Sequence, residues 1–341
     1  FIFYKKSKLK IWSSLKMTNK TDIIRSAALS GGGDKGAYTV GVLKKLYESG
    51  YRYDHIAGTS TGALIAPLLA TGQLGLLEHI YTSVEFKDIL SKHDWALRIL
   101  SEGAYYDVTP LRNLVRKHIT NEVYDQLISP GTPDIYLAAV CMNNKALVYF
   151  TTSKNLKSST KYDVIRIRDK SELIKGIMAS SVQPMIMPAE HHNGQAYADG
   201  GIKEFTPIDV LIDQSSDHIT AIVTTPENSR YYQAGNFKDP VDVAKKTIEI
   251  LTEEIAINDL KGAETVNKGI KYSISIKERL ERAGVANEII LSALTSEHDP
   301  FWGKRLIDFK IIRPLEWLSD GLTFDNKQMK RMFEIGYATK V

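Results

Sequence analysis

An α/β fold on a mainly parallel sheet is the architecture this sequence predicts, and two consecutive strand-to-helix units predict it. Ile23–Ser30 reads as a buried strand ending in the run Ser30-Gly31-Gly32-Gly33-Asp34-Lys35-Gly36. A helix follows, with Val40, Leu43, Leu46 and Tyr47 at helical spacing and Gly50 closing it. A second apolar strand, His55–Ala57, runs into Gly58-Thr59-Ser60-Thr61-Gly62 and at once into an Ala/Leu/Ile-rich helix. Strand, helix, strand, helix is the pattern of parallel strands joined by crossover helices.

The later chain continues in kind. Residues 78–130 read as helical, with Asp107-Val108-Thr109-Pro110 as a helix start capped by Thr109. Ile135–Met142 and Ala146–Thr151 read as strands around the turn Asn143-Asn144. A helix Ser171–Ser180 precedes the loop Ser180–Pro188, Glu190–Gly194 reads as a solvated turn, and Gln195–Ala198 leads into Asp199-Gly200-Gly201. His218–Thr225 is a further apolar strand. Beyond Glu227 the composition turns more polar. Asp239-Pro240 opens a long helix, a second helical region spans about Ile274–Leu294, Asp308–Arg313 reads as a late strand, and a terminal helix begins near Asn326. Residues 21–341 therefore read as one domain with a helical insertion at about 228–306. The uncharged run Gly58–Leu77 is long enough to cross a bilayer, but it holds Ser60, Pro67, Gln73 and four glycines, so it reads as a buried core helix.

Composition narrows the function classes. The single cysteine, Cys141, rules out an internal disulfide framework and fits a reducing, cytoplasmic setting; its apolar neighbours mark it as a buried, inert thiol. The net charge of +4 is local: residues 1–20 hold six lysines and no acid, so residues 21–341 carry a net −2. A nucleic-acid footprint is therefore not expected. Residues 1–16 precede Met17 and read as a non-native remnant in preference to a basic, aromatic-bearing membrane-surface segment. Lysines interrupt any apolar stretch there, which disfavours a secretory signal.

Three motifs carry the chemistry. In Gly58-Thr59-Ser60-Thr61-Gly62 a serine sits at the apex of a tight strand-to-helix elbow, where only small flanking residues fit. Gly31, Gly33 and Gly36 spell a dinucleotide-binding pattern, but the acid that such a site needs after the second strand is replaced by the elbow, and Asp54 precedes that strand. What remains is a run of backbone N–H groups suited to an anion or oxyanion. Asp199-Gly200-Gly201 supplies a carboxylate beside a freely turning backbone, which can act as the serine's base.

Together these motifs resemble the patatin-like phospholipase family, and the segment Ala179-Ser180-Ser181-Val182-Gln183-Pro184 supports the resemblance. The resemblance implies a three-layer α/β/α fold and lipid acyl hydrolysis by a Ser–Asp dyad without histidine, metal or cofactor. It makes Ser60 the nucleophile, Asp199 its base, and Gly31, Gly32, Gly33, Lys35, Gly36 and Thr61 the oxyanion hole, with Gly58, Gly62, Gly200 and Gly201 in support. The partners it implies are phospholipid or another acyl lipid, with transient contact to a membrane surface. Asp34 departs from the family pattern, since an acid beside an oxyanion hole weakens it unless the side chain points away, for instance toward Lys35. Gly33→Val is expected to fold yet lose turnover. Two other readings stay open: a catalytically silent lipid-binding or regulatory module on the same fold, and a nucleotide- or phosphate-binding protein. Of the eight histidines, His191 and His192 are the nearest in sequence to Asp199 and His298 has the right order for a triad, but all three sit in polar turns.

Overall fold

The computed structural model describes residues 23–92, 94–227, 237, 239–294, 299–301 and 304–341. The expected basic segment at residues 1–20 and the His298 turn lie outside them. The chain divides into two compact units, one made of residues 24–259 and 309–341 and a smaller one that includes residues 260–308.

The larger unit holds the sheet. Its strands are β1 (Arg25–Leu29), β2 (His55–Thr59), β3 (Asp134–Cys141), β4 (Leu147–Thr151), β5 (Asp163–Arg166), β6 (Glu190–His192), β7 (Gln195–Asp199), β8 (His218–Ile222) and β9 (Asp308–Ile312). They run in the order β5-β4-β3-β2-β1-β8-β9, with β7 also on β3 and β6 on β7. The central pairs β8–β1, β1–β2 and β2–β3 are parallel, while β4 and β7 run antiparallel to β3. Ala27, Ala28, Leu29, Ile56 and Ala57 are fully buried, as expected of parallel strands covered by helices on both faces. This is the expected mainly parallel α/β/α arrangement.

The main helices, in chain order, are α1 (Gly36–Glu48), α2 (Thr61–Ala70), α3 (Leu74–Ser83), α4 (Thr109–His118), α5 (Lys170–Ser181), α6 (Pro240–Arg282) and α7 (Asn326–Ala338). α2 packs on β2 and β3, α5 on β3 and β7, and α7 packs with α1 and α3. Most of α6, a 43-residue helix, is continuous through the region read from sequence as two helices. In the smaller unit the Asn267 side chain brackets Ile307, donating to its carbonyl at 2.6 Å and accepting its amide at 3.2 Å.

β3 decides where the site forms. β2 runs along its first half and ends with Thr59 opposite Ala138; β7 covers its second half and ends with Asp199 opposite Ala139. β4 occupies the other edge of β3, so β2 and β7 share one edge and meet end to end. Ser60 and Asp199 are brought together by this register, although they are far apart in sequence.

Three expectations need correction. The uncharged run Gly58–Leu77 is not one helix: it breaks at Thr71-Gly72, where Gly72 takes φ +72°, and continues as α3. Thr109 does not cap α4; the Asp107 carboxylate accepts the Thr109 amide at 2.9 Å instead. Glu190–Gly194 is not a solvated turn. Glu190 and His192 are buried in β6, and only Asn193-Gly194 turn, both with positive φ. Glu190 tolerates burial because the Arg112 guanidinium grips it at 2.5 Å. Cys141 is buried as expected, its thiol donating to Gln195 at 3.2 Å.

Removing Arg112 leaves the Glu190 charge buried without its partner. Arg112→Leu is expected to lower stability by about 3 kcal/mol, and adding Glu190→Gln should restore much of it. Thermal melts of the single and double variants check this.

Candidate active site

Ser60 follows the last residue of β2 and stands at φ +56°, ψ −120°, a strained backbone for a residue with a side chain. The elbow is held from three sides. The Ser60 amide donates to the Ser180 hydroxyl at 3.0 Å, the Thr59 hydroxyl donates to the Glu204 carbonyl at 3.0 Å, and the Ser60 carbonyl accepts from Ala63 and Leu64. The flanking glycines are required by contact. A Cβ on Gly62 would lie 2.2 Å from the Leu29 carbonyl oxygen, and one on Gly58 would lie 2.3 Å from that of Gly62.

Asp199 ends β7 and is buried. Its amide donates to the Val182 carbonyl at 2.8 Å, so the segment Ser180–Val182 fixes both Ser60 and Asp199. Its carboxylate accepts the Gly201 amide at 2.8 Å, and the nearby Ser60 hydroxyl also favours its charged form. Burial dominates these donors and lifts the carboxyl from 3.8 to about 6. Gly200 packs against the Ala138 carbonyl, where no side chain would fit.

The glycine loop leaves β1 and enters α1 through a single 3-10 turn, Gly33–Lys35. Several of its amides are already engaged. Gly31 donates to Phe205 at 3.0 Å, Asp34 to Gly321 at 3.1 Å, Lys35 to Gly32 at 3.1 Å, and Gly36 to Asp34 and Gly33. Among the described residues, the amides of Gly32, Gly33 and Thr61 are left without a protein acceptor, the last because the first turn of α2 offers none. Of the six residues expected to form an oxyanion hole, these three are the ones whose amides remain free as donors. Lys35 contributes its side chain, which is buried and lines the cavity over Ser60. Gly36 makes room for the Thr61 side chain, which bonds the Tyr81 hydroxyl at 2.6 Å.

Asp34 does point away from the loop, but not toward Lys35. Its carboxylate accepts from the Ser319 hydroxyl and from the Phe324 amide at 3.2 Å. Gly33 corrects a second expectation. It takes φ +59°, and a Cβ would stand 1.8 Å from the Gly321 carbonyl oxygen, so Gly33→Val tests folding and not the oxyanion hole.

Two cavities meet at Ser60. One, of about 320 Å³, has a mixed lining that includes the charged residues Lys35, Asp199, Lys245, Lys246, Glu249 and Asp320. The other, of about 90 Å³, is apolar and runs between Leu64, Leu77, Leu111, Val115, Ile177 and Met329. His118 is the one described histidine lining either cavity, at the apolar end. His191 is exposed, and His192 is packed against the rings of Phe150 and Tyr197.

The sequence model of patatin-like phospholipases matches residues 27–212, more than half of the chain and all three motifs. The chain belongs to the patatin-like phospholipase family. Its relatives include the cUMP-AMP-activated phospholipase of Escherichia coli, 46% identical over 70 residues, which are 18% of this chain and 21% of that one. Neuropathy target esterase sws of Drosophila melanogaster is 26% identical over 201 residues, 57% of this chain and 12% of that one. The chain thus spans about a fifth or less of the length of these relatives. The crystal structure of VipD from Legionella pneumophila gives a TM-score of 0.46 at 14% identity, covering 92% of this chain and 65% of that one.

Four residues around this patatin-like site carry no motif signal. Ser180 was visible only as part of a supporting segment, although its hydroxyl holds the Ser60 amide. Ser319 holds Asp34. Glu204 is buried behind the elbow, bonded to the Tyr149 hydroxyl and to the Asp209 amide, and burial lifts its carboxyl from 4.5 to about 8. Asp259, lifted by burial from 3.8 to about 7, accepts the amides of Phe205 and Thr206. A polar residue far from the motifs gives no periodic or spacing cue.

These upward shifts set the sign of a pH dependence. Asp199, Glu204 and Asp259 hold their protons more tightly folded than unfolded. The stability they contribute is complete below about pH 4 and is lost as pH rises through 6, 7 and 8. The melting temperature is expected to fall between pH 5 and 8.5, and Glu204→Gln should flatten that fall; an unchanged slope in Glu204→Gln counts against it.

Proposed function

We propose that the protein is a serine lipid acyl hydrolase of the phospholipase A or lysophospholipase type. The observation that carries this reading is a strained Ser60 that lines the same cavity as the buried Asp199 carboxylate, whose proton affinity its hydroxyl influences. A carboxylate near its reference pKa of about 4 is a weak base for a hydroxyl, and burial makes Asp199 a better one. In the forward step Asp199 takes the Ser60 proton as Oγ attacks the ester carbonyl. The tetrahedral oxyanion is received by the amides of Gly32, Gly33 and Thr61. Collapse breaks the ester bond, and the proton on Asp199 passes to the leaving alcohol. Water then repeats the sequence in reverse roles and releases the fatty acid.

The two cavities suit the two ends of such a substrate. The apolar cavity takes the start of an acyl chain, and the larger one, with Lys35, Lys245 and Lys246 beside Asp242, Glu249 and Asp320, takes a charged head group. Family membership and the named activities of the relatives, a phospholipase and an esterase, support lipid esters over other acyl donors. Transient contact with a membrane surface is part of the proposal. Met185, next to the cavity residues Gln183 and Pro184, is 65% exposed, and Leu97 and Leu100 on the short helix Trp95–Glu102 are 69% and 86% exposed. Tyr105 ties that helix to the loop, with its ring 5.7 Å from Trp95 and its amide on the Ile186 carbonyl. Among the described residues, no helix is long and apolar enough to cross a membrane.

The test is a panel of phospholipids, lysophospholipids and simple esters, run with a fluorophosphonate probe. Wild type should react with the probe and hydrolyse lipid, and Ser60→Ala should do neither. Asp199→Asn is expected to lose about 100- to 10,000-fold in rate. Wild-type kcat/KM should rise with pH through about 6 as Asp199 gives up its proton. Equal labelling of wild type and Ser60→Ala would sink the assignment, as would an Asp199→Asn variant of normal rate.

A further inference from the structure

Residues Glu204-Phe205-Thr206 bond to every piece of the site. The Glu204 carbonyl accepts from Thr59, the neighbour of Ser60, at 3.0 Å. The Phe205 carbonyl accepts the Gly31 amide of the glycine loop at 3.0 Å. The Glu204 amide donates to Gly200, the neighbour of Asp199, at 2.9 Å. The Phe205 ring lines the larger cavity and packs against Gly31 and Gly201, leaving no room for a side chain at Gly31. The elbow, the glycine loop and the Asp199 turn therefore all take their place from one short segment.

The other two amides of that segment point the other way, onto α6. Phe205 and Thr206 both donate to Oδ2 of Asp259, at 2.8 and 2.9 Å. Asp259 lines neither cavity, so it has no contact of its own with a substrate held there. A residue serving α6 alone would have no need to take both amides on one oxygen. We propose that Asp259 is a positioning residue for the Ser60 centre: its carboxylate fixes Phe205 and Thr206, whose segment then sets the glycine loop and the elbow. The proposal rests on the reading of Ser60 and Asp199 given above. Glu204 and Asp209 are the acidic groups that face Asp259, and burial is the larger influence on its proton. Displacement of reacting groups by about 1 Å costs on the order of a hundredfold in rate, so a loosened segment shows in turnover before it shows in binding.

The variants are Asp259→Asn and Asp259→Ala in the full chain. One carbonyl oxygen on asparagine can still accept both amides. Asp259→Asn should therefore hold kcat within a few-fold, while Asp259→Ala lowers it about a hundredfold with KM little changed. Amide hydrogen exchange supplies a readout that does not depend on turnover: Asp259→Ala should speed exchange at Phe205, Thr206 and Gly31, and Asp259→Asn should not. Loss of kcat in both variants alike, or a normal kcat in Asp259→Ala, overturns the proposal. If wild type hydrolyses no ester, the Ser60 reading fails separately. Exchange at Gly31 then decides the positioning role, and an unchanged Gly31 in Asp259→Ala rejects it.

Discussion

The buried carboxylate of Asp199, facing the Ser60 hydroxyl, is the arrangement on which the rest of the site depends. Burial is unfavourable for a carboxylate, and among the described residues the Gly201 amide and the nearby Ser60 hydroxyl offset it. A lysine or arginine beside Asp199 would stabilise the charge but would also remove the basicity that a serine needs. Burial thus raises the basicity of Asp199, and the cost falls on stability.

The geometry follows from strand ends, not from loops. β2 and β7 meet on one edge of β3, so residues on consecutive rungs, Ala138 and Ala139, define where Thr59 and Asp199 must lie. A sheet fixes such positions more tightly than a loop does, because every rung is hydrogen-bonded. The strained backbone at Ser60 costs of order 1–3 kcal/mol, and the bonds from Ser180, Thr59 and the first turn of α2 hold it there.

Much of this was legible in the sequence because it is written in glycines and apolar runs. Gly58 and Gly62 are where side chains cannot fit, and a pair of small residues around a serine advertises that crowding directly. The parallel core was legible because β1 and β2 each carry a short apolar run, Ala27-Ala28-Leu29 and Ile56-Ala57. The solvated reading of Glu190–Gly194 failed for an equally physical reason. Charged letters look exposed, and the partner that lets Glu190 be buried, Arg112, lies on a distant helix. The oxyanion loop was legible as a run of donors, but not which donors are spent. That depends on Phe205 and Gly321, whose carbonyls reach the loop only in three dimensions.

The motifs alone do not make the centre. They fall within residues 27–212, yet the glycine loop is held open by residues beyond that stretch. Gly321 accepts the Asp34 amide, Ser319 and Phe324 draw the Asp34 carboxylate out of the loop, and Asp259 grips the segment that binds Gly31. Asp34 illustrates why this matters. An acid in the expected oxyanion loop would weaken it, and here a hydroxyl and an amide from residues 319–324 hold that acid. A departure from the family pattern at residue 34 and a pair of donors about 285 residues later in the chain are therefore one feature.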